Sequence, residues 1–102
     1  MSQAGTVTKA QVNYGLAEPP MFKVIYLNDN ATPMEFVIST LIESFNYGEQ
    51  TAEKITQDIH ELGSAVVAVL PYELAEQKGI EVTMQARNNN YPLQVKLEPE
   101  SV

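Results

Sequence analysis

The sequence predicts an α+β fold, a two-layer sandwich of β-α-α-β-α-β order in which three helices cover one face of a three-stranded antiparallel sheet. Three observations carry this. Two compact runs, Phe22–Leu27 and Ala65–Leu70, are apolar, rich in β-branched or aromatic residues, and too short for buried helices. Three other stretches space their apolar residues by three and four, and Gly, Pro and Asn bound them. The last run, Leu93-Gln94-Val95-Lys96-Leu97, alternates apolar and polar, which suits a half-buried strand.

Residues 1–20 are rich in Gly, Ser, Gln, Thr and Ala and end in Glu18-Pro19-Pro20. This composition predicts a flexible arm closed by a stiff boundary, with the core domain over 21–102. The first helix starts after Ala31. Thr32 suits an N-cap, Pro33 the first helical position, and Glu35 completes a capping box. Met34, Val37, Ile38, Leu41, Ile42 and Phe45 then follow at helical spacing until Gly48 breaks the pattern. The second helix is expected from about Glu49 to Leu62, with Ala52, Ile55, Ile59 and Leu62 on one face and Gly63 as its terminating glycine. Ala65–Leu70 is apolar without interruption and so reads as the buried central strand. Pro71 opens the third helix, which carries Leu74, Ala75, Val82 and Ala86 and ends at Asn88-Asn89-Asn90. Gly79 inside it costs about 1 kcal/mol relative to Ala, a cost that a close approach to the sheet would explain.

Composition excludes several function classes. Thirteen acidic residues against six basic give a formal net charge of −7, which disfavours nucleic acid and anionic membranes and favours cationic ligands. Without cysteine there is no disulfide, thiol catalysis or thiolate metal site, and one histidine is too few for a histidine-based one. No apolar run approaches the ~20 residues needed to span a bilayer. The segment Met1–Pro20 has neither an apolar h-region nor an Arg-rich pattern, so it does not read as a signal or transit peptide. The expected setting is therefore the cytoplasm, with an organelle stroma as the alternative, and no cofactor is implied.

The stretch from Leu27 to Val37 carries the functional signal. Asn28, Asp29 and Asn30 place an anion and several hydrogen-bonding groups in a tight loop, and Met34 and Val37 begin an apolar face beside it. A polar rim against an apolar wall fits a ligand with one charged and one apolar end, such as the first residue of a peptide. The plainer readings are that Asp29 caps a turn, that His60 is a structural residue near a helix C-terminus, and that Met34, Val37, Ile59 and Leu93 are core.

These residues, taken together, resemble the ClpS adaptor family. The resemblance rests on Asn28-Asp29-Asn30-Ala31-Thr32-Pro33-Met34-Glu35-Phe36-Val37, on Ile59-His60 and Gly63, on Tyr72-Glu73-Leu74-Ala75-Glu76-Gln77-Lys78 and on Tyr91-Pro92-Leu93. It spans about 80 residues without evident gaps, from Phe22 to Glu98. It implies a non-enzymatic adaptor that holds the destabilising N-terminal residue of a substrate and delivers it to a Clp AAA+ unfoldase, of the ClpA or ClpC type. The substrate's α-amino group would meet Asn28, Asp29 and His60. Its side chain would enter a pocket formed by Tyr26, Thr32, Met34, Val37, Thr56, Ile59 and Leu93. Glu73 and Lys78 would dock on the unfoldase, and the arm would assist delivery.

Two departures from the family pattern bear on specificity. Asn30 stands where an Asp is usual, which removes one negative charge from the rim. Thr56 stands where a Met gates the pocket, so both the shape and the polarity of the pocket should differ. For His60 to accept a hydrogen bond from an ammonium it must be neutral. One alternative is a regulator that docks on the unfoldase through Glu73 and Lys78 without reading amino termini. A small hydrolase using His60 and Asp29 is disfavoured, since no nucleophile motif accompanies them. A general interaction module resembling the C-terminal domain of the ribosomal stalk protein is disfavoured by the Pro-Met-Glu-Phe-Val core.

Overall fold

A computed structural model describes residues 19–101. Six elements follow in the expected order: β1 Met21–Leu27, α1 Met34–Phe45, α2 Glu49–Leu62, β2 Ser64–Pro71, α3 Tyr72–Asn88 and β3 Gln94–Pro99. The strands form one antiparallel sheet of order β2-β1-β3. The expected arm lies, apart from Pro19 and Pro20, outside the described residues. Among those residues no helix is long and apolar enough to cross a membrane.

The central strand is β1, not the Ala65–Leu70 run. That run lies in the edge strand β2, where Val66 and Val69 are 47% and 37% exposed. Its unbroken apolar character has two sources. Ala65, Ala68 and Leu70 pack against the core, whereas Val66 and Val69 point to the open face. A bulge adds Val67: Val24 pairs with Ala68 and Ile25 with Val66, which leaves Val67 unpaired and turned into the core. The Tyr47 hydroxyl donates to the Val67 carbonyl and so satisfies the group the bulge displaces.

The covered face carries Val24 and Tyr26 opposite Leu97 and Val95, cross-strand pairs that share one side of the sheet. Val37 and Leu41 of α1, Ala52 and Ile59 of α2, and Ala75, Val82 and Ala86 of α3 close over it as a single core. Lys23, Lys96 and Glu98 alternate with these strand residues and face away, as period-2 geometry requires.

The capping box does not form. Helix α1 begins one residue late, at Met34, with Pro33 at its N-cap and no side-chain cap. The Thr32 hydroxyl donates to Asp29 Oδ2 at 2.8 Å and is thus withdrawn from the helix end. Helix α1 stops at Asn46, not at Gly48. Asn46 is left-handed (φ 61°), and the Tyr47 amide reaches back six residues to the Leu41 carbonyl in a Schellman-type closure. Gly48 instead precedes α2, which spans the expected Glu49–Leu62 and ends on left-handed Gly63 (φ 92°). Leu62, expected on the buried face, is 76% exposed.

Pro71 closes β2 and N-caps α3, so that helix begins at Tyr72. Leu74 is 39% exposed and faces outward, whereas Ala75, Val82 and Ala86 are buried as expected. Gly79 does face the sheet, but a Cβ there would sit 3.6 Å from Val95 Cγ1, an ordinary contact. Close approach therefore does not demand a glycine at this position.

Candidate functional site

Sheet register brings the chain segments that carry Asn28, Gly63 and Leu93 to one end of the sheet. Leu27, the last residue of β1, pairs with Ser64 at the start of β2 and with Gln94 at the start of β3. The residues just beyond those pairs are Asn28, Gly63 and Leu93. The Asn28 amide donates to the Gly63 carbonyl at 2.9 Å, which ties the Asn28–Thr32 loop to the end of α2. His60 lies in the last turn of that helix and is exposed. Asn28 and Asn30 are exposed as well, so this end of the sheet presents amide and imidazole groups to solvent.

Asp29 organises the loop. Its Oδ1 accepts from the amides of Ala31 and Thr32 at 2.8 and 2.7 Å, and its Oδ2 accepts from the Thr32 hydroxyl. The turn-capping reading of Asp29 therefore holds in full. An ionised carboxylate has about four acceptor sites, so three received bonds leave capacity for another donor. Burial alone would raise the Asp29 pKa. The three hydrogen bonds, together with the charge of Arg87, more than offset this and hold the carboxyl below its ordinary value. The loop thus keeps one fixed negative charge, and its Asn28 is tied to the end of the helix whose last turn carries the exposed imidazole.

The apolar half divides into one open and several closed residues. Met34, on the first turn of α1, is 39% exposed. Val37, Ile59 and Leu93 are 6%, 3% and 1% exposed and belong to the continuous core. The plain core reading of these three therefore also holds, and they offer a ligand little surface in this conformation. Tyr26 is fully buried, with its ring edge-on to Phe45 and its hydroxyl 2.7 Å from Thr40 Oγ1. Burial pushes its phenol up, and the Thr40 bond only partly offsets this. Tyr26 supports the site from beneath rather than lining it.

Thr56 is buried to 2% exposure rather than lying at the edge of the core face. Its hydroxyl donates to the Ala52 carbonyl one turn back at 2.8 Å. The added polarity expected from Thr is therefore spent inside α2, and what Thr56 leaves to a pocket is small volume rather than a free hydroxyl.

The expected docking pair lies on α3. Glu73 is exposed in its first turn, and Lys78 is half-buried with its Nζ 3.8 Å from Glu81 Oε1. A shallow apolar groove of about 260 Å³ runs between α3 and β3, lined by Gly79, Ile80, Met84, Val95 and Leu97 among others, and shares no residue with the predicted set.

Sequence reasoning missed Arg87 and gave no role to Phe36 and Tyr91, although both lie within the motifs that carry the resemblance. The Arg87 guanidinium donates through Nη1 to the carbonyls of Tyr91 and Leu93, both at 2.8 Å, and its charge acts on Asp29. The Tyr91 ring packs edge-on against Phe36 of α1, with centroids 4.9 Å apart. The available signal was a lone Arg in the last turn of a helix, followed by a Tyr-Pro-Leu return. Such an Arg commonly serves only the helix C-terminus.

The sequence of residues 17–96 matches the model of the family described as "ATP-dependent Clp protease adaptor protein ClpS". A ClpS from Treponema denticola is 39% identical over 97 residues, covering 95% of this chain and 92% of that protein. Another from Shewanella denitrificans is 40% identical over 100 residues, covering 96% and 98%. The solved structure of Agrobacterium tumefaciens ClpS2 bound to L-phenylalaninamide is 38% identical, with a TM-score of 0.79 over 81% of this chain and all of that one.

Proposed function

The chain belongs to the ClpS family of ATP-dependent Clp protease adaptors, and we propose that it binds the free N-terminal residue of substrate proteins when that residue is bulky and hydrophobic. The observation that carries this reading is the hydrogen bond from Asn28 to Gly63. It ties the loop that carries the charged Asp29 to the end of the helix that carries His60, at the sheet end where Met34 is open to solvent and Leu93 lies buried beneath. The ligand of the Agrobacterium tumefaciens relative, an amino acid amide, combines an α-amino group with an aromatic side chain and supports the same division of labour.

In this mechanism no bond is broken. The substrate's ammonium is held by the Asp29 charge, the Asn28 side chain and a neutral His60 imidazole. A hydrogen bond to a charged group contributes roughly 1.5–3 kcal/mol. The side chain slides along Met34, a flexible residue that can swing aside, toward Val37, Ile59 and Leu93. Burying a Leu or Phe there adds about 1.5–3 kcal/mol. The affinity expected of such a site is micromolar, about −8 kcal/mol. Glu73 and Lys78 then dock the loaded adaptor on a ClpA- or ClpC-type unfoldase, and residues 1–20 assist the transfer.

The test is a titration of short labelled peptides that begin with Leu, Phe, Tyr, Trp, Ile, Val or Ala. Bulky first residues should bind at micromolar concentration and Ala at least tenfold more weakly. Equal binding across the series, or none, would overturn the reading. The order among the bulky residues reports the volume that Thr56 leaves.

A further inference from the structure

We propose that Arg87 is a positioning residue for the substrate pocket, holding the Leu93 wall in place from the end of α3. This rests on the function proposed above. Helix α3 ends at Asn88, and the chain turns through Asn90 (φ 63°) before β3 begins at Gln94. The return contains Tyr91, Pro92 and Leu93. Backbone bonds anchor its start, from Asn90 to the Arg87 carbonyl at 3.0 Å and from Tyr91 to the Ala86 carbonyl at 2.8 Å. Beyond Tyr91, the Arg87 side chain takes over. One nitrogen, Nη1, donates to both the Tyr91 and the Leu93 carbonyls. It therefore spans the Pro92 peptide, which has no N–H of its own to fix the segment.

This clamp holds two contacts that matter to the site. Leu93 is 1% exposed and packs in the core with Val37 and Ile59. Tyr91 braces Phe36, which sits beside Val37 and two residues after Met34. Arg87 thus links α3, the return and, through Tyr91, the first turn of α1. Its charge also favours the ionised Asp29, so one guanidinium serves both halves of the site. A wall that must grip a first residue has to be held to within about 0.5 Å by such supports. An Arg that merely ended the helix would have no need to reach the Leu93 carbonyl.

The experiment titrates free-amine peptides beginning with Leu or Phe against four proteins, below the melting temperature of each. These are the unaltered chain, Arg87→Met, Arg87→Lys and Lys54→Met. Lys54 pairs with Asp58 on the exposed face of α2 and controls for the loss of one positive charge. Arg87→Met should weaken both peptides about tenfold and narrow the ratio between them, because a loosened wall discriminates less. Arg87→Lys should recover part of the affinity, since its ammonium keeps the charge and can still reach a carbonyl. Lys54→Met should bind like the unaltered chain. A change in stability alone would leave the ratio untouched. If Arg87→Met binds within twofold of the unaltered chain with the same ratio, this inference is overturned while the proposed function stands. If the unaltered chain binds neither peptide, both fall. Should Arg87→Met not fold, Arg87→Lys decides: a loss beyond threefold with a narrowed ratio supports the clamp, and unchanged binding overturns it.

Discussion

Asp29 has two tasks: it closes a turn through three received hydrogen bonds, and it remains charged. Asp29→Asn can keep part of the turn but not the charge, so affinity for a free amino terminus should fall at least tenfold in a peptide titration. The same residue carries a pH signature. Its folded-state pKa is depressed, so its contribution to stability is fully present above the unfolded value near 3.9 and is lost as pH falls through the lower folded value. Thermal melts between pH 5 and 2 should show Tm dropping with acid, and the drop should be shallower in Asp29→Asn. Thr56 makes a different prediction. It is buried and small, so Thr56→Met must either overpack, at about 1–3 kcal/mol, or project into the pocket. Affinity for peptides beginning with Trp or Phe should then fall more than for Leu. The burial of Thr56 was not legible in sequence, because Ile55 and Ile59 placed it at the margin of the apolar stripe. Only the packed third dimension decides which margin is covered.

Elements defined by local chemistry were the most legible. Helix α2 has both expected ends because Gly63 adopts the left-handed conformation that a C-terminal glycine supplies. Helix α1 was misread at both ends for a local reason. Thr32 prefers Asp29 to the helix, and Asn46 reaches the left-handed conformation before Gly48 is needed. The strand order was not legible, because pairing is long-range and an edge strand with a bulge can be as apolar as a buried one. Two glycines test this account in opposite directions. Gly63→Ala forces an alanine into positive φ, should cost about 1 kcal/mol, and should lower Tm by roughly 4–8 °C. It should also weaken peptide binding, since the Gly63 carbonyl holds the Asn28 loop. Gly79→Ala meets only ordinary contacts and gains helix propensity, so Tm should rise by a similar amount.

The whole molecule separates its tasks in space. The sheet end that gathers Asn28, Asp29 and His60 belongs to one core, and Glu73 lies at the start of α3, beside Pro19 and Pro20. A chain of residues 21–102 should therefore fold alone and bind peptides as tightly as the full chain, and its loss of residues 1–20 should show only in delivery assays. Equilibrium titration of the two lengths checks this division. Net charge adds a long-range attraction for an ammonium. Raising ionic strength above 0.1 M, where the screening length is about 10 Å, should weaken binding severalfold. The polar loop beside an apolar helix start was legible in the sequence, because both halves lie within one stretch from Leu27 to Val37. The Arg87 support was not, since its partners meet only through the return from α3 to β3.

The measurement that bears most directly on the central claim compares one Phe-initiated peptide with its N-acetylated twin by fluorescence anisotropy. Acetylation removes the ammonium and leaves the side chain intact. Micromolar binding of the free peptide, lost on acetylation, is the result expected of a site built on Asn28, Asp29 and His60. Equal binding of the two would contradict it and favour a chain that docks on the unfoldase without reading amino termini.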